Sequence, residues 1–232
     1  MSDRHKAGPR IKVMRNGPYL VTGRVPLREE RILFGSDGEP ETWIKGPLFP
    51  EKETYSLCRC GASEAKPFCD GHHFDAGFDG TETASRDPYL DHAERTAGPG
   101  VDLTWSAELC IAARFCHAGR DAWNYAEASA DPECRRRAVE EACNCPSGSL
   151  VAWDKATGRA VEPACAPEIS VIKDHRSGAA GPLWVKGGVA VESAEGFEYE
   201  RRNRVTLCGC GRSRHKPFCD GSHIAPGFKS RA

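Results

Sequence analysis

Two stretches of the chain set cysteine and histidine at the same spacing. Cys58, Cys60, Cys69 and His73 run as Cys-x-Cys, eight residues, then Cys-x3-His, and Cys208, Cys210, Cys219 and His223 repeat the pattern 150 residues later. Three thiolates and one imidazole suit a structural zinc ion or an iron-sulfur centre. A one-residue gap brings two thiolates to one metal centre more readily than it serves bridges to distant strands. Zinc sites usually open with a wider Cys-x2-4-Cys, whereas a dinuclear cluster takes the close pair on one iron and the last Cys and His on the other. Spacing alone leaves both metals open.

The middle of the chain carries a different set. Cys110 and Cys116 are separated by five residues, and Cys145 is followed by Pro146 in the run Cys-Pro-Ser-Gly-Ser-Leu. Cys143, Cys134, Cys165 and His117 are further donors within reach of the same region, with Cys143 nearest to Cys145 and hence a candidate fourth ligand, and Cys134 read as a packed helical thiol.

The elements that position these residues repeat as well. From Leu57 the chain reads LCRCGASEAKPFCDGHHFDAGF, and from Leu207 it reads LCGCGRSRHKPFCDGSHIAPGF. Upstream, Gly17-Pro18-Tyr19-Leu20-Val21 answers Gly181-Pro182-Leu183-Trp184-Val185, and Ile11 and Val13 answer Ile169 and Val171. The second copy has six more residues after its first strand and fourteen fewer before its cysteines, differences that belong in loops. A whole small domain is duplicated. Apolar alternation in both copies predicts strands, the last of which (54–57 and 204–207) deliver the chain to the first cysteine. About fifty residues bury little apolar surface alone, so the two copies are expected to pack together, each pinned by a metal centre.

Between them, residues 79–100 hold few apolar groups and read as a linker. A strand follows at 101–105, then a helix opened by Asp131-Pro132-Glu133 and running to about Glu141. A hairpin is expected over 150–161 with its turn at 155–158.

Both cysteine-rich copies fit C-x-C-x2-S-x3-P-x-C-D-G-x-H, with Ser63, Pro67, Asp70 and Gly71 in one and Ser213, Pro217, Asp220 and Gly221 in the other. This closely resembles the CDGSH (NEET) iron-sulfur family, whose members hold a [2Fe-2S] cluster by three cysteines and one histidine. The resemblance implies two such clusters, on Cys58, Cys60, Cys69 and His73 and on Cys208, Cys210, Cys219 and His223. The second copy matches in full, whereas the first reads CDGHH, with His72 where the family prefers Ser, Thr or Ala. Around these ligands, Asp70 and Asp220 are expected to cap the turn through backbone N–H groups. Gly71 and Gly221 permit a tight approach at positive φ, and Lys66 and Lys216 add positive charge beside an anionic cluster. The central segment resembles a divergent single-cluster bacterial ferredoxin. Cys110 and Cys116 match the first and third cysteines of C-x2-C-x2-C, and Cys145 matches the final Cys-Pro. Ala113 stands at the second-ligand position, which implies a [3Fe-4S] cluster on three thiolates or a [4Fe-4S] cluster with another fourth ligand.

The expected architecture is therefore α+β. It has a CDGSH domain at 9–80, a linker at 81–100, a ferredoxin-like domain at 101–166 and a second CDGSH domain at 167–229. The two small β-rich domains form an intrachain pseudo-dimer. That pairing within one chain predicts a monomer.

Charge and composition narrow the function. Lys+Arg and Asp+Glu nearly cancel to a net charge of -1 with no basic run, which argues against nucleic acid as the partner. No apolar stretch is long enough for a membrane span, and the N-terminal residues lack the apolar core of a secretory signal. A cytoplasmic, reducing location follows, and the Ala-, Gly- and Arg-rich composition is of a bacterial kind. No nucleophile–base pair or phosphate loop competes with the cluster motifs, so no enzyme is expected. The leading function is one-electron transfer between soluble redox proteins. The alternatives are storage and transfer of labile [2Fe-2S] clusters to apo-acceptors, and structural zinc binding.

Overall fold

A computed structural model describes residues 8–173 and 180–224. The Gly227-Phe228 part of the repeat, the end of the second domain from residue 225, and the insertion after that domain's first strand, at 174–179, lie outside the described residues.

The first copy supplies β1 (Arg10–Val13), β2 (Tyr19–Thr22), a long hairpin of β3 (Leu27–Phe34) and β4 (Pro40–Leu48), and β5 (Thr54–Leu57). The central segment supplies β6 (Glu94–Thr96), β7 (Val101–Trp105), α1 (Ala122–Glu127), α2 (Pro132–Asn144), β8 (Leu150–Asp154) and β9 (Ala160–Val161). The second copy supplies β10 (Glu168–Lys173), β11 (Ala180–Lys186), β12 (Ala190–Glu192) and β13 (Arg204–Leu207).

Alternation decides which faces turn inward. Ile11 and Val13, Tyr19 and Val21, Tyr55 and Leu57 are buried on three paired strands of the first copy, and Ile169, Val171, Leu183, Val185, Val205 and Leu207 on those of the second. All of them belong to one core. Burial alone does not explain the joint, because the copies also exchange strands. β12 pairs in parallel with β1, matching Val191 to Ile11, and β3 pairs in parallel with β10, matching Leu27 to Ile169. The sheets run β12-β1-β2-β5 and β13-β11-β10-β3-β4. Each copy thus extends the other's sheet, so the pseudo-dimer is an exchange of strands as well as a packing of faces. The fourteen extra residues of the first copy fall within the β3–β4 hairpin, which reaches the central domain through the indole of Trp43, bonded to the Asn144 carbonyl at 3.0 Å.

In the central domain the antiparallel sheet β6-β7-β8-β9 is covered by both helices, over a core including Val101, Leu103, Ala138, Ala142 and Leu150. The α2 N-terminus forms as its sequence predicts, with Asp131 Oδ1 accepting the Cys134 N–H at 2.9 Å and Pro132 in the first turn. The helix runs one turn beyond the expected end, to Asn144, and α1 was not expected at all; its signal is Asp121, which accepts the Asn124 N–H at 2.8 Å.

Residues 81–100 are not a bare linker. They contain β6 and a 3-10 turn at Tyr89–Asp91, and Thr83 and Ala84 both donate their N–H groups to the Lys216 carbonyl. Glu82 accepts the Ala194 N–H and the Tyr199 hydroxyl, each at 2.9 Å. A segment poor in apolar residues is held here by backbone and carboxylate hydrogen bonds, which hydropathy does not register.

Candidate metal centres

In both copies the last strand carries the chain into a loop tied by the same bonds. Cys58 N–H donates to the Pro67 carbonyl at 2.8 Å and Cys69 N–H to Ser56 at 2.9 Å; Cys208 donates to Pro217 at 2.9 Å and Cys219 to Thr206 at 2.8 Å. The serine of the motif closes the loop from within. Ser63 Oγ donates to the Phe68 carbonyl at 2.6 Å and Ser213 Oγ to Phe218 at 2.7 Å. Asp70 accepts the N–H groups of Glu64 (2.7 Å) and His72 (3.2 Å), and Asp220 those of Arg214 and Ser222 (both 3.0 Å). Gly71 and Gly221 have φ of 96° and 80°, a region in which a Cβ is strained.

These ties present the donors in pairs. Cys58 and Cys60 sulfurs are 3.8 Å apart and Cys208 and Cys210 sulfurs 3.7 Å; Cys69 Sγ and Cys219 Sγ each lie 3.4 Å from the Nδ1 of His73 and His223. Two thiolates at about 2.3 Å from one tetrahedral ion lie roughly 3.8 Å apart, and a thiolate and an imidazole roughly 3.5 Å, so each pair fits one metal ion. Among the described residues, no three His, Cys, Asp or Glu side chains gather where they could hold one ion. Each loop thus presents two donor pairs, each spaced for one metal ion.

Burial keeps most of these thiols protonated without a metal. It pushes Cys58, Cys69 and Cys219 upward. Cys208 moves down, through its hydrogen bond with Cys210 and, against burial, the N–H groups of Ser213, Cys210 and Gly211. A cation that displaces these protons removes the cost.

The two sites differ in cover. Cys208, Cys210, Cys219 and His223 are 0, 6, 2 and 4% exposed, whereas Cys60, Cys69 and His73 are only half-buried and Phe74, stacked on His73 at 4.1 Å, is 80% exposed. Lys66 lies half-buried on the first loop, while Lys216 in the second is clasped through its backbone by Thr83.

In the central domain Cys110, Cys116 and Cys145 line one cavity of about 260 Å³, together with Ala113 and His117. The loop between the first two cysteines bends through left-handed φ at Ala112 (55°) and Arg114 (68°), strain of about 1–3 kcal/mol per residue that the surrounding packing must hold. Burial, then the charges of Cys145 and Cys110, push Cys116 up to about 12. Glu141, buried with both carboxylate oxygens unpaired, is raised by burial to about 8.

Cys143 does not join them. The end of α2 turns its sulfur to the Val161 carbonyl at 3.6 Å, toward Cys165 and Arg204, so the candidate fourth ligand is corrected away from the cavity. A one-residue gap at a helix C-terminus sends successive side chains in different directions. Of the other donors considered, His117 lines the cavity, and Cys134 sits at the opposite end of α2.

Three supporting residues carry no signal in the spacing. Arg204, 1% exposed, donates Nη1 to the carbonyls of Cys145 (2.6 Å), Cys143 (2.8 Å) and Ala142 (2.9 Å). Arg59, equally buried where the second copy has Gly209, donates to Met14 and Gly80. The Tyr19 hydroxyl lies 3.0 and 2.9 Å from the carbonyls of Cys208 and Pro217. A break in the repeat, Arg59 for Gly209 and Tyr19 for Leu183, is the one hint the sequence held.

Residues 16–74 and 180–224 match the family model described as iron-binding zinc finger CDGSH type, and residues 96–155 match the model described as divergent 4Fe-4S mono-cluster. Neither a curated protein nor a solved structure matches the chain. Both families are non-catalytic electron-carrier or structural domains, and among the described residues no helix is long and apolar enough to cross a membrane. The chain is an iron-sulfur cluster-binding protein in which two CDGSH-type regions flank a divergent ferredoxin-like domain.

Proposed function

We propose that the protein is a one-electron carrier between redox proteins. It holds two [2Fe-2S] clusters, one on Cys58, Cys60, Cys69 and His73 and one on Cys208, Cys210, Cys219 and His223. A third cluster, [3Fe-4S] or [4Fe-4S], sits on Cys110, Cys116 and Cys145. When bound, each cluster supplies a site that accepts and returns a single electron. The chain supplies the rest. Backbone N–H groups point at Cys208, the guanidinium of Arg204 steadies the Cys145 loop, and burial keeps water from the second copy's donors.

One observation carries the choice of relay over delivery: all four donors of the second copy are 6% exposed or less. An electron can cross such a wall, whereas a cluster to be handed over needs an open site. The first copy favours a second reading for itself alone, because His73 is half-buried under the exposed Phe74, so this site is open enough to hand its cluster to an apo-acceptor. The internal pairing of copies fits a monomer, and cysteines that serve as metal ligands fit a reducing cytoplasm.

Mössbauer spectroscopy of anaerobically purified protein, with iron and sulfide counted on the same sample, should give two dinuclear clusters and one cubane-type cluster. Potentiometric titration should then show reversible reduction of each. Zinc in a colourless protein overturns cluster binding. Transfer of both [2Fe-2S] clusters to an apo-acceptor, without reversible reduction, overturns the relay.

A further inference from the structure

Along the chain the ferredoxin-like segment lies between the two CDGSH copies, but the contacts place the sites in another order. The CDG turn of the second copy abuts the central site: a Cβ added at Gly221 would lie 3.1 Å from the Cys110 carbonyl, and Cys219 packs with Ile111, Ile172 and Trp184. Trp43 fills the same junction, its ring 4.8 Å from Trp184 and 5.3 Å from Phe115. Arg204 adds a second tie, bonded to the Cys145 carbonyl at the start of the strand that ends before Cys208.

The opposite side of the second copy's loop meets the first copy. A Cβ on Gly61 would lie 2.6 Å from the Cys210 carbonyl, and one on Gly211 2.6 Å from the Cys60 carbonyl, so the two Cys-x-Cys-Gly turns interlock. The pseudo-symmetry then exposes the asymmetry. Gly71, the counterpart of Gly221, would have nothing among the described residues within 4 Å of its Cβ.

We propose that the second-copy site is the bridge through which electrons pass between the central site and the first-copy site, and that the open CDG turn of the first copy is the terminal at which they are exchanged with a partner. This rests on the electron-carrier reading. Each hop oxidises one centre and reduces its neighbour by one electron, and it is favoured where donor sets abut, because electronic coupling falls with the intervening distance. The second-copy donor loop meets both the central site and the first-copy loop, and its donors are almost fully buried. The first-copy donor loop meets the second-copy loop, its domain reaching the central one through Trp43 of the β3–β4 hairpin and not through the donor loop.

The test is flash photoreduction of the holoprotein with less than one electron per chain. In the wild type, electrons should redistribute between central and first-copy signals at a rate independent of protein concentration. Cys219→Ser should abolish that phase and leave an equilibration proportional to protein concentration. EPR of the fully reduced Cys219→Ser protein should also show first-copy and central signals free of the broadening that a neighbouring spin produces. A concentration-independent phase that survives in Cys219→Ser overturns the bridge. Should that variant fail to fold, His223→Cys keeps four donors and, by exchanging imidazole for thiolate, lowers the second-copy potential. It should slow the same phase, and an unchanged rate overturns the proposal. Absence of reversible reduction at any centre in the wild-type titration is a different result, and it removes the electron-carrier reading itself.

Discussion

The two CDGSH loops have nearly the same internal geometry and very different surroundings. Their sulfur pairs differ by 0.1 Å (3.8 against 3.7 Å) and their sulfur–imidazole distances agree at 3.4 Å. Yet His223 is 4% exposed, while His73 is half-buried beneath an exposed ring. Local sequence sets the first kind of quantity, because the loop is closed by its own serine, aspartate and backbone. What packs on the loop sets the second. Duplication can therefore conserve a donor set while giving its two instances different access to solvent and partners.

The largest expected effect of that difference is on metal loss. A chelator at neutral pH should strip iron in two phases, the fast one belonging to the first copy. His73→Cys should slow the fast phase and leave the slow one, because thiolate holds iron more tightly than imidazole. A single phase for both sites would break the comparison.

Next comes Arg204→Ala. Removing the guanidinium breaks its buried ion pair with Glu162 and takes one donor from each of three carbonyls, of which Ala142 and Cys145 keep the N–H groups of Cys145 and Gly148, a loss of about 3–5 kcal/mol by analogy with breaking a buried charged contact. The first copy has Thr54 at the equivalent place. Thermal or denaturant unfolding should show the loss, and the EPR signals of the central and second-copy centres should shift while that of the first copy stays.

A smaller change is expected from Tyr19→Phe, which deletes a buried hydroxyl bonded to second-copy carbonyls and costs about 1–2 kcal/mol. Although Tyr19 belongs to the first copy, second-copy iron should become the more labile. If only first-copy iron is affected, the link across the pseudo-dimer is not functional.

The smallest effect belongs to His72→Ser. In the first copy His72 Nδ1 lies 2.9 Å from Asp70 Oδ1, where the second uses Ser222 Oγ at 2.6 Å from Asp220 Oδ1. The hydrogen bond to Asp70, then its charge, raises the His72 pKa above the ordinary histidine value. A raised folded-state value means that the pair contributes stability in full below about pH 6.5 and loses it as pH rises through the raised value. Serine should therefore lower the melting temperature slightly at pH 6 and leave it unchanged at pH 9. First-copy iron should be retained at both, since His73 presents the Nδ1 beside Cys69.

Much of this was legible in the chain. The motif set the donor pairs, because ligand spacing, the closing serine, the capping aspartate and the positive-φ glycine all act within a single loop. Alternation marked the buried faces of β1, β2, β5 and their counterparts, since a strand's inward positions depend only on its own period. The α2 cap was equally local. Residues 81–100 and Cys143 show where this kind of reading stops. Hydrogen bonds from Thr83 to Lys216, or the turn that aims Cys143 at Val161, join groups far apart in sequence and leave no periodic trace.

The sequence by itself determined that two equal donor sets exist and that each lies at the end of a strand, for those are consequences of covalent spacing and short-range hydrogen bonds. Only the tertiary structure decided that β3 and β12 cross over to the other copy and that the central domain packs on the Gly221 turn, while no described residue comes within 4 Å of a Cβ on Gly71. Two copies with the same motif are locally degenerate, and the degeneracy is lifted by unlike surroundings: Ile111 of the central domain packed with Cys219 at one site, the exposed Phe74 beside His73 at the other.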